Sequence, residues 1–565
     1  MKTRKQVWQA SLGIRIILVL TLGIAYVSST LAPGFLFGDG AYWSGVASDR
    51  ASNLVGYLYY LEAPWQWPPF RLDQLSLPEG TSVIYSDSIP LVSLVAKAAN
   101  SFYPNDFNFL GFWIGACYLL NGIAFVLLLD RLGVSDPLIS LLGALLAMLT
   151  PVLLQRWYHA GLNAHFLILL SLALYFAIAT SDSSRRILTL QVALMVIALF
   201  IHPYIMAIVF SIFFATVLKA AWIGKLSWQS AAPWVMFGGM GVVLIALATG
   251  FIEPGMSPEA AGFSHFSTNL LSFIQSLQSG LRPSAWELAE RAALEQNTWV
   301  FFGQSYPDAT GGQYEGAAYL GAGVMMLAVI IMLLLRRDAL RQVARQWPLV
   351  LVTLALLLFA LSSLIYAGNH LLVQFELPAW TRPLTNSFRA SGRFSWLFVY
   401  VLLVFVVVNT ARRFQANTAA AMLMVAVTLQ WIDTAALRQV IWLSSNLPEH
   451  AGLDASFWQE TLKEAEMLYL APSYACGDSG LRSPKIQLHV LAAHLGPIPI
   501  NSAYVARDKK DCEAEIKHLQ QFGLESGVVY AFFDDFRARP ALVEFVQAQG
   551  ANCQPFRRGV MCRHD

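Results

Sequence analysis

The chain has little charge. Only 13% of its 565 residues are Asp, Glu, Lys or Arg, and its net charge is +2. A soluble globular domain carries about twice that charged fraction. The near-neutral balance removes any case for nucleic acid, which asks for a basic surface. Cysteine is also scarce, at five, and no Cys-x-x-Cys pair with His spacing marks a zinc site. The C-terminal 120 or so residues show no phosphate loop and no nucleophile elbow. Few ionisable residues fall inside the apolar runs, whereas coupled transporters place them near the midplane.

Apolar residues are abundant, at 56%, with 17 Trp among them. The fold class this predicts is a polytopic α-helical membrane protein with a C-terminal extracytoplasmic α/β domain. Eleven spans are expected, at 14–33, 107–129, 136–154, 162–180, 187–201, 203–221, 232–251, 316–335, 347–366, 394–411 and 417–433. Many aromatics lie at span ends, where interfacial belts form. "MKTRKQ" before the first run resembles a signal peptide, but that run is longer than an h-region, so it reads as an uncleaved first span.

Orientation follows from Lys and Arg. With the N-terminus inside, the short inner segments hold Lys2, Arg4, Lys5, Arg131, Arg185, Arg186, Lys219, Lys225, Arg336, Arg337, Arg341, Arg345, Arg412 and Arg413. The short outer turns hold only Arg156. This is the positive-inside asymmetry. An odd span count then puts the C-terminus outside, in the periplasm of a cell with an inner membrane. Residues 1–435 form the membrane domain, with long outer loops at 34–106, 252–315 and 367–393, and residues 447–565 form the outer domain.

Cysteine supports that side. Cys476, Cys512, Cys553 and Cys562 all fall in the tail, an even set suited to two disulfides in an oxidising compartment. Four cysteines allow three pairings; Cys553–Cys562 can close "CQPFRRGVMC" as strand–turn–strand, leaving Cys476–Cys512. "EMLYLAPS" and "GVVYAFF" read as strands, and "KIQLHVLAAHLG", "DCEAEIKHLQQFG" and "RPALVEFVQAQG" as helices. Asp511 is an expected N-cap, with Gly496 and Gly523 as stops.

Chemistry-bearing residues gather at the expected outer ends of spans. Asp39 lies between glycines in "LFGDGAYW". Asp87 lies in "VIYSDSIPLVSLVAK". Arg156, His159 and His165 share "LQRWYHAGLNAHF", and His202 begins "HPYI". Arg382, Arg389 and Arg393 sit in "TRPLTNSFRASGRFSW". Each has a bland reading: a helix end, a turn cap or a headgroup anchor. Together they suit sugar transfer from a lipid phosphate. Asp39, Asp87, His159 and His202 are the candidate catalytic residues. Arg156, His165, Arg382, Arg389 and Arg393 are the candidate ligands of the lipid phosphate, because a guanidinium fork binds such oxygens bidentately. Arg389 and Arg393, four apart, share one face if helical. No cofactor is required, though a divalent cation such as Mg or Mn could find ligands among Asp39, Asp87 and the imidazoles.

The acid after the first span, the long 34–106 loop and the outer tail resemble the GT-C fold of polyprenyl-phosphate-dependent glycosyltransferases, which includes protein O-mannosyltransferases and aminoarabinose transferases. "GLNAHFLILLSLALYF", "HPYIM" and "FRASGRFSWLFVY" also resemble a group of bacterial membrane proteins related to that fold. The resemblance implies a polyprenyl-phosphate sugar donor, an envelope glycan, lipid or protein as acceptor, and contact with membrane lipids. It implies Asp39 as the acid. The family often shows an adjacent acidic pair, whereas Asp39 is followed by Gly40. The competing expectations are a flippase or transporter of a lipid-linked glycan, and a non-enzymatic envelope assembly protein.

Overall fold

The computed structural model describes residues 11–102, 107–252, 262–304, 308–335, 337–447, 452–477, 480, 483–508, 510–522, 525–536 and 539–563. Lys2, Arg4, Lys5, Arg336 and Gly523, named above, lie outside them.

Among the described residues, five helices are long and apolar enough to cross a membrane: Leu12–Thr30, Leu110–Arg131, Pro203–Trp222, Trp228–Thr249 and Ser391–Arg413, whose first residues form a 3-10 turn. A sixth is available if Ala416–Asp433 and Ala435–Asn446, bent by 51°, count as one span. Of the expected eleven, five or six are thus matched by helices of this length among the described residues, and further apolar helices are shorter. Hydropathy alone merges apolar helices with apolar loops. The run at 316–335 has non-helical residues at 317–321, so its helix starts only at Ala322. The run at 347–366 stops at Leu361, because Ser362 takes a positive φ of 62° and strand β3, Leu364–Ala367, follows. Pro137–Met148 and Gly161–Ala177 are likewise short.

The bent pair turns at Asp433, whose buried carboxylate receives the Ala322 N–H at 2.7 Å and the Ser279 hydroxyl. An acid at a helix N-terminus satisfies orphan N–H groups and meets the positive end of the dipole.

Beyond two short strand pairs, β1–β2 (Arg71–Leu72 with Thr81–Ser82) and β3–β4 (β4 is His370–Gln374), the tail holds one sheet. Its strands are β5 Met467–Ala471, β6 Val528–Phe533, β7 Asn552–Phe556 and β8 Gly559–Arg563, in the order β5-β6-β8-β7. β5 and β6 are parallel; the other pairs are antiparallel. Disulfides join Cys476 to Cys512 and Cys553 to Cys562, the second across the β7–β8 register.

The tail is fastened to the loop between the first two long helices. Leu77 N–H donates to Ile500 O at 3.0 Å, Ile500 N–H to Gln74 O at 2.9 Å, and Ala506 N–H to Tyr85 O at 2.7 Å. Helix Pro484–His494 packs on helix Ser48–Glu62, and one apolar core runs from the bundle into the tail.

Candidate functional site

Where tail, loop and bundle meet, charged side chains from separate segments converge. Asp49 lies in the first turn of helix Ser48–Glu62, where a carboxylate suits the helix dipole. Its Oδ1 accepts a hydrogen bond from the Tyr504 hydroxyl of the tail at 2.6 Å. Its Oδ2 lies 3.2 Å from His159 Nε2. Burial lowers the His159 pKa against the pull of Asp49, so a neutral ring with its proton on Nε2 fits the contact. The His159 turn is tied down by Asn163, whose amide donates to the carbonyls of His159 at 2.8 Å and Arg156 at 2.5 Å.

Glu315 forms the floor. Its Oε2 sits 2.7 Å from Arg156 Nη1 and 3.0 Å from Arg393 Nε, and its Oε1 is 4.0 Å from His159 Nε2. Burial alone would raise its pKa. The Arg393 and Arg156 guanidiniums outweigh burial and hold the carboxyl well below the usual range. Close backbone approach permits this. A Cβ on Gly392 would lie 2.3 Å from the Gly316 Cα, so two glycines let the turns Gln313–Gly316 and Ser391–Ser395 touch, one residue from Glu315 and Arg393.

Asp87 and His202 form the opposite side. Asp87 holds a left-handed φ of 54°, two residues before Ile89 and Pro90 open the next helix. A Cβ on Gly56 would meet Ser86 Oγ at 1.9 Å, so that glycine lets the Asp87 loop press on the helix that carries Asp49. His202 caps helix Pro203–Trp222: its Nδ1 accepts the Tyr204 N–H at 3.2 Å. That fixes the ring proton on Nε2, which points at Asp87 Oδ1, 3.7 Å away. Burial pushes Asp87 up to about 7, with Asp49 adding to the rise and Arg393 opposing it. Yet the Asp87 side chain is 34% exposed and Asp49 27%. Two partly exposed acids thus stand beside buried imidazoles and the buried Glu315.

The remaining candidates divide. Arg389 is exposed at the rim, over the Phe266 ring, and is coupled electrostatically to Asp87. It does not share a helical face with Arg393, because helix Arg382–Ser387 ends at Phe388 and Ala390 is non-helical. Both are coupled electrostatically to Asp87. Arg156 is buried and committed to Glu315 and the Tyr314 and Glu315 carbonyls, at 2.7, 3.2 and 3.1 Å. That geometry gives it to the scaffold rather than to a ligand. His165 is buried, bonded to Tyr400 OH at 2.9 Å and packed on Trp396. Arg382 is exposed and outside the cluster. Asp39 is exposed too, and its carboxylate caps helix Gly40–Trp43 through the Ala41 N–H at 2.9 Å. No bond or charge coupling among the described residues joins Asp39 to the cluster.

Sequence reasoning missed Asp49, Glu315 and Tyr504. Glu315 had a signal: "QYEGAAYL" sets an acid before glycine at the head of an apolar run, the pattern that drew attention to Asp39. Asp49 in "ASDRAS" carried only a helix-start signature, and nothing local marked Tyr504. Among the described residues, no three metal-ligating side chains converge. The pairs Asp49–His159 and Asp87–His202 are where a cation would find donors.

These features define a helical, membrane-type bundle whose charged site is completed by an α/β tail. The chain belongs to the family described as Domain of unknown function (DUF6311), whose model matches residues 20–435. The DUF6311 C-terminal domain model matches residues 457–564. No curated protein matches the chain.

Proposed function

We propose that the protein transfers a sugar from a polyprenyl-phosphate donor to an envelope glycan, lipid or protein, with a GT-C-like arrangement of its spans. One observation carries this reading: two partly exposed carboxylates, Asp49 and Asp87, each beside an imidazole at 3.2 and 3.7 Å, are coupled electrostatically to each other, and Asp87 also to Arg389. The acceptor hydroxyl attacks the anomeric carbon, the bond from that carbon to the phosphate oxygen breaks, and the phosphate leaves with its lipid. Asp87 takes the hydroxyl proton, since a base with a pKa near 7 is half ionised at working pH. Arg389 meets the phosphate charge that grows as the bond breaks. Asp49, fixed by His159 and Tyr504, orients the acceptor. The basic-residue asymmetry and the tail disulfides support a cytoplasmic N-terminus and a periplasmic tail at the inner membrane.

The test uses purified full-length protein and tritiated polyprenyl-phosphate hexoses. Wild type should release label from at least one donor. Asp87→Asn should lose about 10²–10⁴-fold in rate, the worth of a general base. Asp39→Asn should keep its rate. Full activity in both Asp49→Asn and Asp87→Asn, or no turnover of any donor by wild type, overturns the assignment.

A further inference from the structure

Far from this cluster lies a second charged concavity. The helix Trp396–Arg413 has 18 residues and rises about 27 Å. Arg393, just before its start, belongs to the cluster; Arg412 and Arg413 end it. At that far end a recess of about 350 Å³ is lined by Asp338, Arg341 and Arg345 from one side and Arg412 and Arg413 from the other, with Leu335 between.

The charge here is unmatched, unlike that of the first cluster. Four guanidiniums line the recess against one carboxylate, Asp338, which lies 3.5 Å from Arg341. Arg412 donates to the Leu132 carbonyl at 2.5 Å. Arg345 and Arg413 have no carboxylate partner among the described residues. Cations do suit a helix C-terminus, which accounts for Arg412 and Arg413. Arg341, in the last turn of helix Arg337–Ala344, and Arg345, just after it, bring a second basic helix end to the same hollow. Like charges brought into one hollow from two elements call for an anion.

We infer that this recess binds a phosphate group, supplied by the headgroup of an anionic phospholipid. The planar forks of several arginines match phosphate oxygens. Leu335 of the apolar helix Ala322–Leu335 borders the recess beside the charged helix Arg337–Ala344, a junction of apolar and charged surface that suits the level of a lipid headgroup. The inference does not rest on the glycosyl-transfer reading.

The experiment measures thermal unfolding of delipidated, full-length protein as phosphatidylglycerol is titrated into nanodiscs of phosphatidylcholine, with inorganic phosphate as a separate arm. Phosphatidylglycerol should raise the melting temperature. The Arg345→Gln/Arg413→Gln double variant should bind it about thirtyfold more weakly, at roughly one step of surface attraction per arginine. If that variant does not fold, Arg345→Gln alone, at an exposed position, should lose about fivefold. Stabilisation by millimolar phosphate, lost in the same variants, supports the same recess with a free source. Equal shifts with phosphatidylcholine, or an undiminished response in the variants, overturn the inference.

Discussion

Asp87 lies in a left-handed turn, crowded by Asp49 and buried enough that its carboxyl titrates near 7 rather than near 4. The folded state therefore binds more protons than the unfolded state between those values, and stability falls as pH rises through that window. Asp87→Asn, which stays neutral, should flatten the fall and melt higher than wild type at pH 8. In the proposed reaction the ionised form is the active one, so kcat/KM should rise with pH through about 7; a flat profile from pH 6 to 8 removes Asp87 as the base. Glu315 behaves oppositely. Held below its unfolded value, it stabilises the fold above pH 4 or so and ceases to as pH drops further. Glu315→Gln leaves Arg156 and Arg393 buried with no anion, and should cost about 3–5 kcal/mol in chemical denaturation. Asp87, His159 and His202 were legible because they stand beside proline or within dense polar turns between apolar runs. Asp39 carries the same kind of local pattern, and its carboxylate caps the short helix Gly40–Trp43: a local pattern shows that an acid ends a helix, not what it faces.

At the level of elements, the tail was the most legible part. Its strands alternate with capped helices, and Asp511 accepts the Glu513 and Ala514 N–H groups at 3.0 and 3.1 Å, as an N-cap should. The bundle was less legible, because apolar composition marks burial as well as span. Ala322–Leu335 and Trp347–Leu361 are apolar, yet their boundaries are set by Asp433 and Ser362, which no hydropathy window sees. The Gln313–Gly316 and Ser391–Ser395 turns were invisible as partners. Their contact depends on two glycines, so Gly392→Val should push them apart. We expect it to lower the melting temperature by several degrees, as overpacking of about 1–3 kcal/mol does. The corresponding Gly40→Ala, where a Cβ has open space, should leave the melting temperature unchanged.

For the molecule as a whole, the basic recess and the carboxylate cluster lie at opposite ends of helix Trp396–Arg413. Fusions of a reporter active only in the periplasm therefore test orientation directly. A fusion after residue 446 should be active and one after residue 345 inactive, and the reverse pattern would place the cluster in the cytoplasm. The 455-residue gap between Asp49 and Tyr504 explains why no sequence window could pair them. That gap also sets an order of events during biosynthesis. Asp49 leaves the ribosome 455 residues before its phenol partner. A chain stalled or truncated before the tail folds holds Asp49 without its phenol. Completion of the site thus waits until Tyr504 has been made and the tail that carries it has folded onto the first long loop.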